Sequence, residues 1–560
     1  MAALEQGSSS SSSGDSAASA LPDYERGDSG ELDLVQLNSQ SLSLYEKKCV
    51  LVNRAIDAQG MGRYQWYIWL LCGSGYFLDL LWAQAFALVL SPLQQELGFS
   101  NDQSGNISTS FNAGLTAGAF FWGFISDIIG RRWAFNLTCL FSSVFGLCLG
   151  ASNTYNTFLV LTAFVGFGVG GNIPVDTTIF LEFVPRDKRF LLACLSIFQP
   201  IGVVICSALA FAFIPNYSCS PNFSETNPLP ACNSTVADGA APCCARSANK
   251  GWRYLLYTAG AVSLLIFTIR FFVFNFKETP KYLLYRGQDE KAAQTIAHMA
   301  KVNKRETWLT ADIFKILDSE DEASSASASN VEMEEVQQRK GVAGYKTKMV
   351  NELERYKLLF DGFQMTRLTI LTWLTYIMDF WGFTVAGFYL PRILAIKNGA
   401  AKVSLKFTYA SYIYTYAPGT LGVLLGAWST LIPSVGRKWS MVVSSGLMGA
   451  SIFAFSAVDT VAKNSGLFAM EYFFQSMFNA VLYGWTPEAF PAPIRGTACG
   501  VASFWGRLFG IVSPLIAQHL YGQADGANSV LYLAGGVTLG CVITTALLPS
   551  ELMEAQDEHS

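Results

Sequence analysis

Residues Gly123-Phe-Ile-Ser-Asp127-Ile-Ile-Gly130-Arg131-Arg132 decide the fold. A carboxylate and two adjacent guanidinium groups stand on a glycine-marked turn, between apolar stretches at 108–126 and 133–150 that are each long enough to cross a bilayer as a helix. The second half of the chain carries a counterpart, Gly436-Arg437-Lys438, at an offset of 306 residues. Glu182, Pro185 and Arg189 return at the same offset as Glu488, Pro491 and Arg495. Two separate motifs repeated at one interval indicate a parallel duplication of a unit that holds them both.

Outward from these turns the chain divides into twelve apolar stretches, at 67–90, 108–126, 133–150, 157–182, 190–213, 252–274, 368–390, 407–430, 439–457, 467–488, 497–520 and 529–548. The expected fold is an all-α membrane protein of twelve transmembrane helices in two six-helix bundles, 61–275 and 367–549. A cytoplasmic linker at 276–366 separates the bundles and holds the acidic, serine-rich run 317–329. Polar residues 1–60 and 550–560 are expected as cytoplasmic tails, the first of them disordered, and no cleavable signal peptide is expected before the first span. Of the 560 residues 51% are hydrophobic and 14% charged, against about 25% charged in an average soluble protein. That balance argues against a soluble enzyme, and a net charge of −4 offers no basic face to nucleic acid. No cofactor or metal motif stands in a suitable context.

Lys and Arg in short loops fix orientation. Arg131, Arg132, Arg186, Lys188, Arg189, Arg437, Lys438 and Arg495 fall on one side, which is expected to be cytoplasmic. Arg392, Lys397, Lys402 and Lys406, after the seventh span, are the exception. The loop 214–251 falls on the opposite side and carries glycosylation sequons at Asn216, Asn222 and Asn233. It also holds Cys219, Cys232, Cys243 and Cys244, four of the twelve cysteines, for which three pairings are open. An exoplasmic, disulfide-bonded and glycosylated loop is expected there.

The repeated turn motifs have the chemistry of a cytoplasmic latch. Asp127, Glu182 and Glu488 sit at the ends of spans, within reach of Arg131, Arg132, Arg189, Arg437 and Arg495 on nearby loops, so ion pairs can form in one state and part in another. Residues 123–132 resemble the loop signature of the major facilitator superfamily. Phe167-Gly168-Val-Gly170-Gly171-Asn172-Ile-Pro174 resembles that family's fourth helix, and Lys277-Glu278-Thr279-Pro280-Lys281-Tyr282-Leu283 its sugar-porter motif. Tyr483-Gly-Trp-Thr486-Pro487-Glu488-Ala-Phe490-Pro491 and Gly506-Arg507-Leu508 are most similar to the branch related to synaptic vesicle glycoprotein 2. The resemblance implies a secondary transporter working by alternating access. Departures are visible: Pro433 stands where Asp127 would repeat, and Thr162 where sugar porters carry an arginine.

Ionisable groups inside the hydrocarbon cost at least ~2.5–3.5 kcal/mol each by insertion scales, so those that persist are functional candidates. Asp79, Asp379 and Arg507 count to the bilayer midplane, and Asp79 and Asp379 sit in matching contexts, Tyr76-Phe-Leu-Asp79 and Tyr376-Ile-Met-Asp379. A carboxylate that alternately wets and dries can load and release a proton, and Arg507 can neutralise one of them or receive an anion bidentately. Asp176, Gln199 and Asn479 complete the candidate substrate and coupling set. Arg270 is expected to snorkel at the end of the sixth span, and Glu471 to face water near the outer end of the tenth. Trp381, Trp485 and Trp505 fit packing better than stacking on a ligand. The expected function is proton-coupled symport of a small polar or anionic organic solute. Facilitative sugar or phosphate transport, and a transport-dead sensor or trafficking partner, are the alternatives. The partners are then a small-molecule substrate, protons and the lipid bilayer, and the expected location is the plasma membrane in preference to an intracellular one.

Overall fold

The computed structural model describes residues 44–225, 227–232, 242–274, 277–327, 357, 359–430, 432, 436–458, 460–490, 494–523 and 526–549. Twelve helical spans follow one another in it. They are Arg63–Leu97, Gly105–Ile129, Arg131–Gly150, Tyr155–Gly170 continuing as Asn172–Phe183, Phe198–Phe213, and Gly251–Thr268 continuing as a π-helical turn Ile269–Val273 in the first half. The second half holds Gly362–Ala400, Leu405–Tyr416 continuing as Pro418–Ser429, Gly436–Ser456, Val461–Ala489, Arg495–Tyr521 and Gly526–Ala546. Each overlaps one expected stretch. The first span, at 35 residues, and the seventh, at 39, are more than 50 Å long at 1.5 Å per residue and overrun a ~30 Å hydrocarbon core.

Packing repeats with the motifs. The second span lies on the fourth, and the third on the fourth and sixth; the eighth lies on the tenth, and the ninth on the tenth and twelfth. Gly166 and Gly170 face the backbone of Phe111 and Leu115, where a Cβ would collide with a carbonyl oxygen, so these small residues let the second and fourth spans meet backbone to backbone. The motif glycines have a conformational reason of their own. Gly130 at φ +100° and Gly436 at φ +56°, one repeat apart, turn the chain where a side chain would be strained. Phe120, Phe124, Trp133, Val160 and Phe272 are among the large apolar side chains left exposed, as a lipid-facing surface requires.

The described residues divide into two compact units. One holds the membrane spans from Ile68 onward. The other draws on the segments up to Tyr67, Glu182–Arg189 and the segment that begins at Lys277. Within this second unit one expectation is corrected. Part of the anticipated disordered tail is a helix, Leu44–Gln59, whose Leu51, Val52, Ala55 and Ile56 form one buried stripe beneath an otherwise polar surface. The stretch anticipated as a linker contains helices Pro280–Tyr285, Asp289–Asn303 and Ala311–Ser327, and the Leu44–Gln59 helix packs on all three. Lys48 bonds Asp289 and lies 2.6 Å from Asp318. Burial works against the Lys48 ammonium, and the two carboxylates outweigh it, raising Lys48 above the ordinary lysine value.

In the loop after the fifth span the disulfides pair Cys219 with Cys244 and Cys232 with Cys243, one bridge nested inside the other. Asn216 is exposed and Asn222 half-buried, while Asn233 lies outside the described residues.

Candidate functional site

A cavity of about 110 Å³ lies among the spans. The first, second, fourth, fifth, seventh, eighth, tenth and eleventh spans line it, and it is largely aromatic, with Phe86, Phe111, Phe380, Phe388, Phe468 and Tyr472 on its walls. Asp79, Gln199, Asn479 and Arg507, four of the six candidate residues, line it together. Asp79 sits near the middle of Arg63–Leu97, and Arg507 near the middle of Arg495–Tyr521, at the depth where transporters bind substrates.

Gln199 Nε2 donates to Asp79 Oδ2 across 3.5 Å. Arg507 donates through Nε to Ser503 Oγ at 3.3 Å, while its Nη1 is buried without a partner. Its charge acts on Asp79, yet no carboxylate of the described residues lies within 4.0 Å of the guanidinium. A buried donor left unsatisfied costs ~1–3 kcal/mol or more when charged, so Arg507 Nη1 is an unspent donor at the cavity. Gln475 Nε2, on the same cavity, is likewise buried and unpartnered.

Asp379 occupies the repeat position of Asp79 but stands apart from the cavity wall and is 1% exposed. With the Asn479 amide turned to satisfy both groups, its nitrogen donates to both Asp379 oxygens at 3.0 Å. The tyrosines one turn before the two aspartates act alike: the hydroxyls of Tyr76 and Thr177 bond at 2.9 Å, and Tyr376 donates to Thr486 at 3.0 Å. The first span is thereby tied to the fourth, and the seventh to the tenth.

Three expectations are corrected here. Arg270 does not snorkel; it is fully buried and paired with Asp176 at 3.1 Å. Asp176 is therefore removed from the cavity set, because the pair is sealed by Leu71, Ser74, Phe135 and Cys139, each of which accepts from the guanidinium. Glu471 does not sit at a wetted span end. Val461–Ala489 begins well before it, and Glu471 lines the central cavity at 3% exposure. The tryptophans Trp381, Trp485 and Trp505 leave the cavity wall to phenylalanine and tyrosine; Trp485 is buried, and the Trp381 ring lies tilted beside Phe509 at 5.6 Å.

Arg131 and Arg132 open the third span, Arg437 is second in the ninth, Glu182 lies in the last turn of the fourth, and Arg189 follows the 3₁₀ turn Arg186–Lys188. The side chains of Asp127, Glu488 and Arg495 lie outside the described residues. At the opposite end, basic residues that break the charge rule have specific partners. Arg392 donates to Gln94 at 2.5 Å and to Asn101 at 2.9 Å, Lys397 donates to the carbonyls of Phe455 and Val458, and Tyr409 donates to the Leu88 carbonyl at 3.0 Å. The bonds of Arg392 and Tyr409 join the two six-span halves at the end that carries the loop after the fifth span. No sequence signal marked them.

Comparison with known proteins agrees with this architecture. The profile of the Major Facilitator Superfamily matches residues 72–317 and 372–558. The chain is 35% identical to MFS siderochrome iron transporter 1 of Ceriporiopsis subvermispora (strain B), over 91% of each protein. It is 24% identical to the synaptic vesicle 2-related protein of Pongo abelii, over 89% of this chain and 79% of that one. Its fold is similar to that of the proton:xylose symporter XylE of E. coli, with a TM-score of 0.58 at 17% identity over 86% of this chain and 94% of the other. The chain belongs to the Major Facilitator Superfamily, as an integral, multi-pass membrane transporter.

Proposed function

We propose that this transporter moves a small anionic organic solute together with a proton, by alternating access. One observation carries the reading: Arg507 lines the cavity with a buried, unsatisfied Nη1 and no carboxylate in ion-pair reach. A planar guanidinium in that condition suits a carboxylate, which can accept two parallel hydrogen bonds. Gln199, Gln475 and Asn479 supply further amide contacts for a polar solute.

The charge balance supplies the coupling. With Asp79, Glu471 and Arg507 all ionised, the wall is net negative, so an entering anion meets repulsion in a low-dielectric cavity. A proton on Asp79 removes that repulsion and leaves the Arg507 charge to the solute. Asp379, held by Asn479, acts in this reading by positioning the Asn479 amide. The cytoplasmic groups Arg131, Arg132, Glu182, Arg189, Arg437, Glu488 and Arg495, with Asp127, are assigned the latch that opens when the halves rock. Neutral sugar transport is favoured by the three amides, but it leaves Arg507 without a task.

Uptake into proteoliposomes tests this, using a panel of monocarboxylates, sugars, inorganic phosphate and a ferric siderophore, with and without an imposed pH gradient. Carboxylate accumulation driven by the gradient is expected; sugar uptake indifferent to the gradient would overturn the reading. The plasma membrane is the proposed location and Asn216 the proposed glycan carrier. Surface biotinylation and a gel shift on enzymatic deglycosylation check both.

A further inference from the structure

Glu471 is the cavity group that the transport reading leaves least employed. It is 3% exposed and lines the cavity on the tenth span, one turn before Gln475 and two before Asn479. Spacing of four and eight residues keeps all three on one face, and eight residues place Glu471 about 12 Å along the helix from Asn479. Among the described residues no cation lies in ion-pair reach of Glu471, and its carboxylate makes no hydrogen bond.

The rings around it are aromatic and close. Tyr416 and Tyr472 both feel the Glu471 charge. The Tyr416 ring centroid lies 4.7 Å from that of Tyr472 and 5.2 Å from that of Phe468, and all three rings line the cavity. Ring faces attract cations, most strongly where water is excluded, and a carboxylate among them adds a full opposite charge. An uncompensated buried carboxylate is costly, so a cationic occupant gives this arrangement its balance.

We propose that Glu471, Tyr416, Phe468 and Tyr472 form a subsite for a cationic nitrogen, so that the solute is a zwitterion. Its carboxylate goes to Arg507 and its ammonium, quaternary or protonated, to Glu471. This rests on the reading of Arg507 as the carboxylate anchor. The nitrogen end sets selectivity, while the proton travels on Asp79.

Two probes of one shape separate the claims: 4-(trimethylammonio)butanoate and its carbon isostere 5,5-dimethylhexanoate, which differ in having N⁺ or C at one atom. In proteoliposomes under a pH gradient the wild-type protein is expected to take the ammonium compound at least about 10-fold better. Glu471→Gln should collapse that ratio toward one, and Tyr416→Leu should reduce it. Equal uptake of the two probes by the wild type, or a ratio unmoved by Glu471→Gln, overturns the subsite and leaves the anionic-solute reading standing. Uptake of neither probe overturns both. The wild-type ratio decides the matter even if a variant fails to fold.

Discussion

Two of the carboxylate–guanidinium sets within the described membrane spans are built in opposite ways. Asp176 and Arg270 touch at 3.1 Å with both side chains at 0% exposure, and the guanidinium also stacks over Phe135 at 3.9 Å and donates to Leu71, Ser74, Phe135 and Cys139. Asp79 and Arg507 border a cavity, out of ion-pair reach of each other, with a donor unspent. In the sealed pair the opposite charges are already in contact, with Asp176 Oδ1 alone left without a hydrogen bond. An open set leaves charge to be completed, and in the function proposed above the completing groups are the cargo and the coupling ion.

The sharpest break of that contrast is Arg270→Met, which strands Asp176. It is expected to destabilise the protein by about 3–5 kcal/mol, read as a fall in melting temperature in detergent and in yield, because an unpaired buried charge is left behind. Asp79→Asn should do the reverse: melting within about 1 kcal/mol of wild type, as a group facing an open cavity allows, but no accumulation above equilibrium while counterflow exchange survives. If Asp79→Asn unfolds the protein, Asp79 belongs with the sealed class. Arg507→Lys keeps the charge and loses the planar fork; apparent affinity for a carboxylate solute should fall about 10-fold, near 1.4 kcal/mol, in a competition assay. The smallest expected effect lies outside both sets. Tyr76→Phe and Tyr376→Phe each remove one hydroxyl bond between matching spans, and each should cost about 1 kcal/mol in thermal stability. A several-fold inequality between them would show that the two halves do not carry load alike.

Apolar length alone made the twelve spans legible, and the 306-residue offset pointed to the shared turns at Gly130 and Gly436. Asp79, Gln199, Asn479 and Arg507 could be picked out because a polar group deep in an apolar stretch is conspicuous. Arg270 could not be placed, since its burial depends on Asp176, 94 residues away in the chain, and on Gly75, whose missing Cβ leaves room for the Asp176 carboxylate. Glu471 was misjudged for a different reason. Its depth was counted from an apolar window, and the helix itself starts at Val461 and overruns that window. The Leu44–Gln59 helix was hidden because its average polarity masks one apolar stripe, and the disulfide pairing because proximity of cysteines in a folded loop leaves no trace in their spacing.

The most direct test of the central claim is solute-driven proton movement in sealed proteoliposomes, followed with an internal pH dye as a carboxylate solute is added outside with no gradient imposed. Internal acidification that accompanies entry, and is absent in Asp79→Asn, is the predicted result. Entry of the same solute with no change of internal pH would contradict it.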